Sequence, residues 1–373
     1  MNQPIVDPLI ADATPRAQGF SMPAEFAPHD ACWMLWPQRP DTWRLGAKPA
    51  QQAFVEVATA IAGSETVYVG VNDEQYENAR HQLPAFVRVV ELSSNDAWMR
   101  DVGPTFLTHP DGRLAMVDWE FNAWGGLKDG LYFPWDKDRR IPTKIAEMLG
   151  IPRFPAPVVL EGGAIHVDGE GTLLTTEECL LNPNRNPGMN RAGMERVLRD
   201  VLGIEKVIWL PRGCYLDETN GHVDNLCCFV APGEVALSWC DDTSDPQSAI
   251  SREALAVLEN ATDAKGRRLH VHRLPQPGPL HIEVDEARGI DRLSSSRPRR
   301  PGDRMAGSYV NFYIGNSVIV MPLLDPTHDD EARAILADLF PGRSVIGVPA
   351  REILLGGGNI HCITQQQPKA RPS

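Results

Sequence analysis

The chain has no Cys-x-x-Cys pair, and its seven cysteines are an odd number scattered from Cys32 to Cys362. That argues against a disulfide framework and against a structural zinc ribbon, and it predicts a reducing compartment, the cytoplasm. No run approaches the roughly 20 apolar residues that cross a bilayer, so no membrane span is expected. Residues 1–20 carry Asp7, Asp12 and prolines where a secretory signal needs an apolar core. Residues 1–18 and 369–373 read as flexible tails of one domain covering 1–373. Positive charge is also scarce: 36 Lys and Arg stand against 49 Asp and Glu, a net charge of −13. Such a field repels nucleic acid and anionic lipid and draws in small cations, so neither nucleic acid nor membrane is expected as a partner.

Turn residues, by contrast, are plentiful, with 31 Gly and 32 Pro. That is too many for a helical bundle and suits short strands joined by turns. They punctuate a weak internal repeat. Asp101-Val102-Gly103-Pro104-Thr105-Phe106-Leu107 reads as a strand, 109–112 as a turn and 114–119 as a second strand. The pattern returns at 161–167 with 172–176, at 221–228 with 235–239, and at 308–314 with 317–321. A fifth copy, Gly356-Gly357-Gly358-Asn359-Ile360-His361-Cys362-Ile363-Thr364, reads as a first strand but has no second. The chain runs on into Gln365-Gln366-Gln367-Pro368, which reads as fraying. Residues 31–36 would supply the missing partner and close a ring.

Helical patterns at 49–62, 137–149, 187–202, 247–262 and 328–339 lie between the hairpins. Further strand patterns fall at 66–69, 88–90, 206–210 and 344–348. Repeats that mix hairpin and helix predict an α/β, propeller-like ring. The one compositionally biased stretch is 291–304, with Arg292, Arg297, Arg299, Arg300 and Arg304. It reads as a surface loop of the fourth unit.

Each repeat carries a polar or reactive residue where alternation calls for an apolar one: Asp101, Glu161, His222 with Asp224, and Cys362. In a ring, equivalent strand positions converge on the axis. A thiolate is a nucleophile, and histidine moves protons near neutral pH. Three acids exceed what a Cys-His hydrolase needs, and buried acids are costly without a cation among them. A guanidinium fits, because it is planar, always charged and bound by carboxylates through paired hydrogen bonds. Singly, these residues have plainer readings. Cys362 suits a buried small hydrophobe, His222 a core histidine, and Asp101 an ion-pair partner of Arg100. A zinc site of His222, Asp224 and Cys362 is also open.

Longer motifs narrow the choice. They are Met22-Pro23-Ala24-Glu25-Phe26, Trp33-Met34-Leu35-Trp36-Pro37, Asn95-Asp96-Ala97-Trp98-Met99-Arg100-Asp101-Val102-Gly103-Pro104, Phe121-Asn122-Ala123-Trp124-Gly125-Gly126, Leu160-Glu161-Gly162-Gly163, Thr219-Asn220-Gly221-His222-Val223-Asp224 and the stretch 356–366. They resemble the agmatine deiminases, a family of guanidino-group-modifying enzymes, over about residues 19–368. The resemblance implies a five-bladed α/β propeller and hydrolysis of agmatine to N-carbamoylputrescine and ammonia, a step towards putrescine. It implies Cys362 as the nucleophile that becomes an amidino-cysteine and His222 as general acid/base. Asp101 and Asp224 would grip the guanidinium, and Glu161 would pair with His222. Glu218, Trp98 and Gly357 are the candidates for the rest of the substrate pocket. Neither metal nor organic cofactor is implied, and a homo-oligomer is open. The alternatives are an arginine or peptidylarginine deiminase, an amidinotransferase, or a polyamine-binding protein that has kept the fold.

Overall fold

The computed structural model describes residues 9–370. The strands fall into sheets that obey one rule. His29–Leu35 (β1), Thr66–Val71 (β2) and Arg88–Glu91 (β3) open the chain. Thr105–Thr108 (β4), Leu114–Glu120 (β5) and Arg153–Val159 (β6) form the next sheet. Ile165–Val167 (β7), Thr172–Thr176 (β8) and Lys206–Leu210 (β9) form another. Then come Cys227–Ala231 (β10), Glu234–Trp239 (β11) and His270–Pro275 (β12). Leu280–His281 (β13) and Arg304–Met305 (β14) make a small separate pair. Tyr313–Ile314 (β15), Val318–Leu323 (β16) and Ser344–Pro349 (β17) follow, and Gln365–Pro368 (β18) ends the series.

In each three-stranded sheet of β4 to β12 and β15 to β17, the first two strands pair antiparallel and the second and third pair parallel. A parallel step needs a crossover long enough to cross the sheet, and a helix supplies it each time. Those helices are Ile141–Leu149, Arg191–Leu202, Pro246–Asn260 and Asp329–Leu339. The first sheet follows the same rule with a strand from the far end of the chain. β18 pairs antiparallel with β1, β1 pairs parallel with β2 across helix Lys48–Ala62, and β3 adds an edge. The fold is mixed α/β, and 29–35 does pair with a late strand, but that strand is Gln365–Pro368 and not the stretch 356–364 that the repeat predicts.

Local chemistry accounts for the crossovers. Pro49 fits the first turn of its helix, where a missing N–H costs nothing, and Phe54, Val57, Ala58 and Ile61 bury one face. Asn190 and Asp245 cap their helices by accepting backbone N–H bonds, and Gly203 ends the first of the two in a left-handed conformation.

Several expectations are corrected. The first strand of each repeat is shorter than its pattern. Met99–Val102, Gly162–Ala164 and Val223–Asn225 are single helical turns that precede the strand. The stretch 356–364 is the end of helix Arg351–Gly356 followed by turns. Its strand is Gln365–Pro368, the segment that reads as fraying. Backbone pairing with β1, and a bond from Trp33 Nε1 to Gln367 Oε1 at 2.9 Å, hold these polar residues in a buried strand. β6 and β12 carry no clear strand signal, because prolines interrupt one and histidines and Arg273 alternate through the other. Both are edge strands, where such residues are tolerated. The tail expectation falls partly on residues outside the described span. From residue 9 onward that tail is docked, with Ile10 N bonded to Arg153 O at 2.9 Å and Arg16 paired to Glu205.

Candidate active site

The helical turns that precede β4, β7 and β10, and the turn before β18, carry the reactive side chains. These turns let Asp101, Glu161, His222, Asp224 and Cys362 project from just ahead of the strands rather than from the pleat. All five are buried. Gly163 measures how tightly they converge. A Cβ there would stand 2.6 Å from His222 Nδ1, 2.8 Å from Asp101 Oδ1 and 2.9 Å from Asp224 Oδ2. Only glycine lets the backbone approach three functional groups at once.

His222 has a carboxylate at each ring nitrogen. Nε2 lies 3.2 Å from Glu161 Oε2, and Nδ1 lies 3.8 Å from Asp101 Oδ2. Burial opposes its protonation, but the Asp101 charge, the adjacent Cys179 and the Glu161 contact prevail and raise its pKa well above the ordinary histidine range. Glu161 accepts from Arg185 Nε at 2.8 Å, with both side chains fully buried. Burial would raise its pKa, yet the Arg185 guanidinium and His222 bring it to about 2. Asp101 is bound by Gly163 N and by Trp124 Nε1, each at 2.9 Å. Burial, with Asp224 and Glu161 nearby, still pushes it up to about 6.

Cys362 Sγ lies 3.6 Å from Asp224 Oδ2. Burial first, then the Asp224 and Asp101 charges, hold the thiol well above its ordinary pKa. Asp224 Oδ2 is also 2.9 Å from His361 Nδ1, and His361 reaches Glu25 through Nε2 at 3.0 Å. Arg100 completes that buried chain through Glu25, 3.0 Å away, and does not pair with Asp101. Burial works against ionisation of Asp224, but His361 keeps its pKa below the usual carboxylate value. The other carboxylate oxygen, Asp224 Oδ1, is buried with no hydrogen-bond partner.

Asp101, His222, Asp224 and Cys362 line one cavity with Trp98, Trp124, Glu218 and Gly357. Trp98 stacks on Trp43 and donates to Asp96 at 3.2 Å, so its ring is a rigid wall. Gly357 has a left-handed φ of +113° and packs directly under Glu218. Glu218 carries a partner that no motif signals: Arg299 Nη1 donates to Oε2 at 2.7 Å and Nη2 to Oε1 at 2.5 Å. Stretch 291–304 is therefore not simply a surface loop, since Ser296, Arg297 and Arg299 wall the cavity that holds Cys362.

Three residues lie in the site without having been singled out. Asn311 accepts from His361 N at 3.0 Å, and its Nδ2 lies 3.3 Å from Cys362 Sγ. It belongs to the fourth repeat, just before β15, where the other copies carry acid, histidine or thiol. Arg185 and Trp124 come from loops whose burial no local pattern signals. Among the described residues, the groups able to share one metal ion are Glu25, His166 and His361, and Glu161, Cys179 and His222. The set His222, Asp224 and Cys362 is not among them. No helix in the described residues is long and apolar enough to cross a membrane.

The chain resembles known proteins along nearly all its length. The family model described as Porphyromonas-type peptidyl-arginine deiminase matches residues 21–368. An agmatine deiminase of Pseudomonas aeruginosa (strain LESB58) is 58% identical over 361 residues, 96% of this chain and 98% of that protein. One from Pseudomonas putida (strain KT2440) is 56% identical over 359 residues, again 96% and 98% of the two. A solved structure of the agmatine deiminase of Enterococcus faecalis superposes with a TM-score of 0.95 at 45% identity, covering 97% of this chain and 99% of that one.

Proposed function

The chain belongs to the family of Porphyromonas-type peptidyl-arginine deiminases, and from that premise we propose that it is an agmatine deiminase, a hydrolase of the C–N bond of a linear amidine. The observation that carries the reading is the buried, unpartnered Asp224 Oδ1, on a carboxylate whose other oxygen lies 3.6 Å from the thiol. A buried carboxylate oxygen without a donor is costly, and a guanidinium between Asp101 and Asp224 satisfies it with charge-assisted bonds. The same clamp sets the guanidinium carbon against Cys362.

Turnover has two halves. The bound cation offsets the two carboxylate charges that hold the thiol up, and Cys362 gives its proton to solvent and becomes a thiolate. It attacks the guanidinium carbon, and His222 gives its proton to the departing ammonia. Water then attacks the amidino-cysteine, His222 takes one of its protons, and the sulfur leaves with the other, which restores the thiol. Agmatine and water thus give N-carbamoylputrescine and ammonia. Removing the carbamoyl group from that product yields putrescine, so the enzyme serves polyamine formation. Glu161, itself fixed by Arg185, orients His222 throughout. Asn311 positions Cys362 by accepting from the backbone N–H groups of both His361 and Cys362 through Oδ1.

Five sheets of one design, the first completed by β18, support a five-bladed α/β propeller forming one catalytic domain. Seven free cysteines support a cytoplasmic setting. The net charge of −13 speaks against nucleic acid as a partner. A walled cavity of small size favours free agmatine over a peptide-borne arginine.

Cys362→Ala abolishes ammonia release from agmatine in EDTA, while the wild-type protein mixed with agmatine and quenched shows the amidino adduct on Cys362 by mass spectrometry. Turnover by the alanine variant, or release from arginine in place of agmatine, would overturn the assignment.

A further inference from the structure

Arg299 stands apart from the machinery just described. It is a cation on a loop, yet it reaches into a site built for cations. Its guanidinium makes both bonds to Glu218 and a third to Gly356 O at 2.6 Å, and its side chain is 14% exposed. The segment that bears it is tied down on either side. Phe133 N bonds Ser295 O at 2.8 Å, Arg297 N bonds Leu131 O at 2.9 Å, and β14 begins at Arg304. Ser296, Arg297 and Arg299 of this segment line the thiol-bearing cavity, and Arg299 is the one that pairs with Glu218. A second cavity lies on the far side, bounded by Leu216, Ile282, Arg304 and Met305, and the two share Glu218, Arg297, Arg299 and Gly357. The ion pair is thus a partition between the reacting centre and the outer cavity.

Resting on the agmatine reading above, we propose that Arg299 is the resting occupant of the subsite for the substrate's distal ammonium, and that substrate binds by exchanging one cation for another at Glu218. With the guanidinium between Asp101 and Asp224, a four-carbon tail carries the ammonium towards the carboxylate that lines the same cavity. A carboxylate as buried as Glu218, 12% exposed, is costly without a cation. Arg299 supplies one when the site is empty, and the ammonium supplies one when it is full. A guanidine with a neutral tail cannot make that exchange. Product release follows the same logic. The carbamoyl end is neutral and no longer gripped by Asp101 and Asp224, so Arg299 competes only with the ammonium for Glu218. Arg299 is accordingly a specificity-determining residue that acts on binding and release.

The test compares agmatine with n-butylguanidine, which replaces the ammonium by a methyl group. In Arg299→Ala, the KM for agmatine falls about fivefold or more and inhibition by N-carbamoylputrescine tightens, while the KM for butylguanidine does not fall. Arg299→Gln, nearer in volume, gives the same pattern if the alanine variant does not fold, and Arg299→Lys gives a smaller drop because it keeps the charge but not the fork. Glu218→Gln raises the KM for agmatine alone. A higher agmatine KM in the neutral variants, or equal shifts for both guanidines, would overturn the exchange while leaving the deiminase reading intact. A wild-type protein silent towards agmatine would overturn that reading and the exchange with it.

Discussion

Asp101 is the site residue whose ionisation a solution experiment can follow. Its carboxyl titrates at about 6, while His222 is held well above its ordinary pKa and Asp224 and Glu161 below theirs. Of the two carboxylates proposed to hold the guanidinium, Asp101 is therefore the one that changes charge between pH 5 and 7. The sign follows directly. A raised carboxyl is protonated below its pKa, and a guanidinium prefers the ionised form, so affinity weakens as pH falls through 6. Calorimetry of agmatine binding to Cys362→Ala should show Kd rising about tenfold from pH 7 to pH 5. A flat profile would mean that Asp101 does not face the cation. At this scale the sequence was informative where a residue broke an apolar pattern, as Cys362 and Asp224 do. Asn311 went unread because a neutral amide in a strand-like stretch looks ordinary. Arg299 went unread because its partner, Glu218, lies 81 positions away.

At the scale of elements, the hairpins and crossover helices were legible because each obeys a local period. The turns that lift the reactive residues off the strands were not. A four-residue helical turn such as Met99–Val102 is too short to show periodicity, and its form is set by tertiary bonds such as Arg100 N to Cys362 O at 3.1 Å. β18 was misread for a related reason. Glutamines have little strand preference of their own, and this strand exists because β1 offers it a ladder and Trp33 a donor. Its stability is therefore borrowed from the first sheet, and the dependence runs both ways. Ending the chain at Thr364 keeps every residue named in the chemistry but strips β1 of its antiparallel neighbour. The truncated protein should unfold at a lower temperature and aggregate, as an unprotected edge does. An unchanged midpoint in thermal unfolding would show that β18 only decorates the sheet.

Over the whole molecule, the excess of acid acts on a substrate that carries two positive charges. A net charge of −13 raises the local concentration of such a dication and speeds its arrival, and salt screens that effect. The kcat/KM for agmatine should decline as NaCl rises from about 20 to 300 mM, well beyond any change in kcat. A kcat/KM indifferent to salt would confine the electrostatics to Asp101, Asp224 and Glu218. The pairing of β18 with β1 also has a consequence in time. Trp33 and its partner Gln367 are 334 residues apart. During synthesis, sheets whose strands are near neighbours can form as they emerge, but the opening sheet has to wait for nearly the whole chain. Cys362 leaves the ribosome in that same late stretch. A protein cut short in translation therefore carries the acids and the histidine without the proposed nucleophile, and the Cys362 thiol first appears when the strand that completes its housing is about to follow.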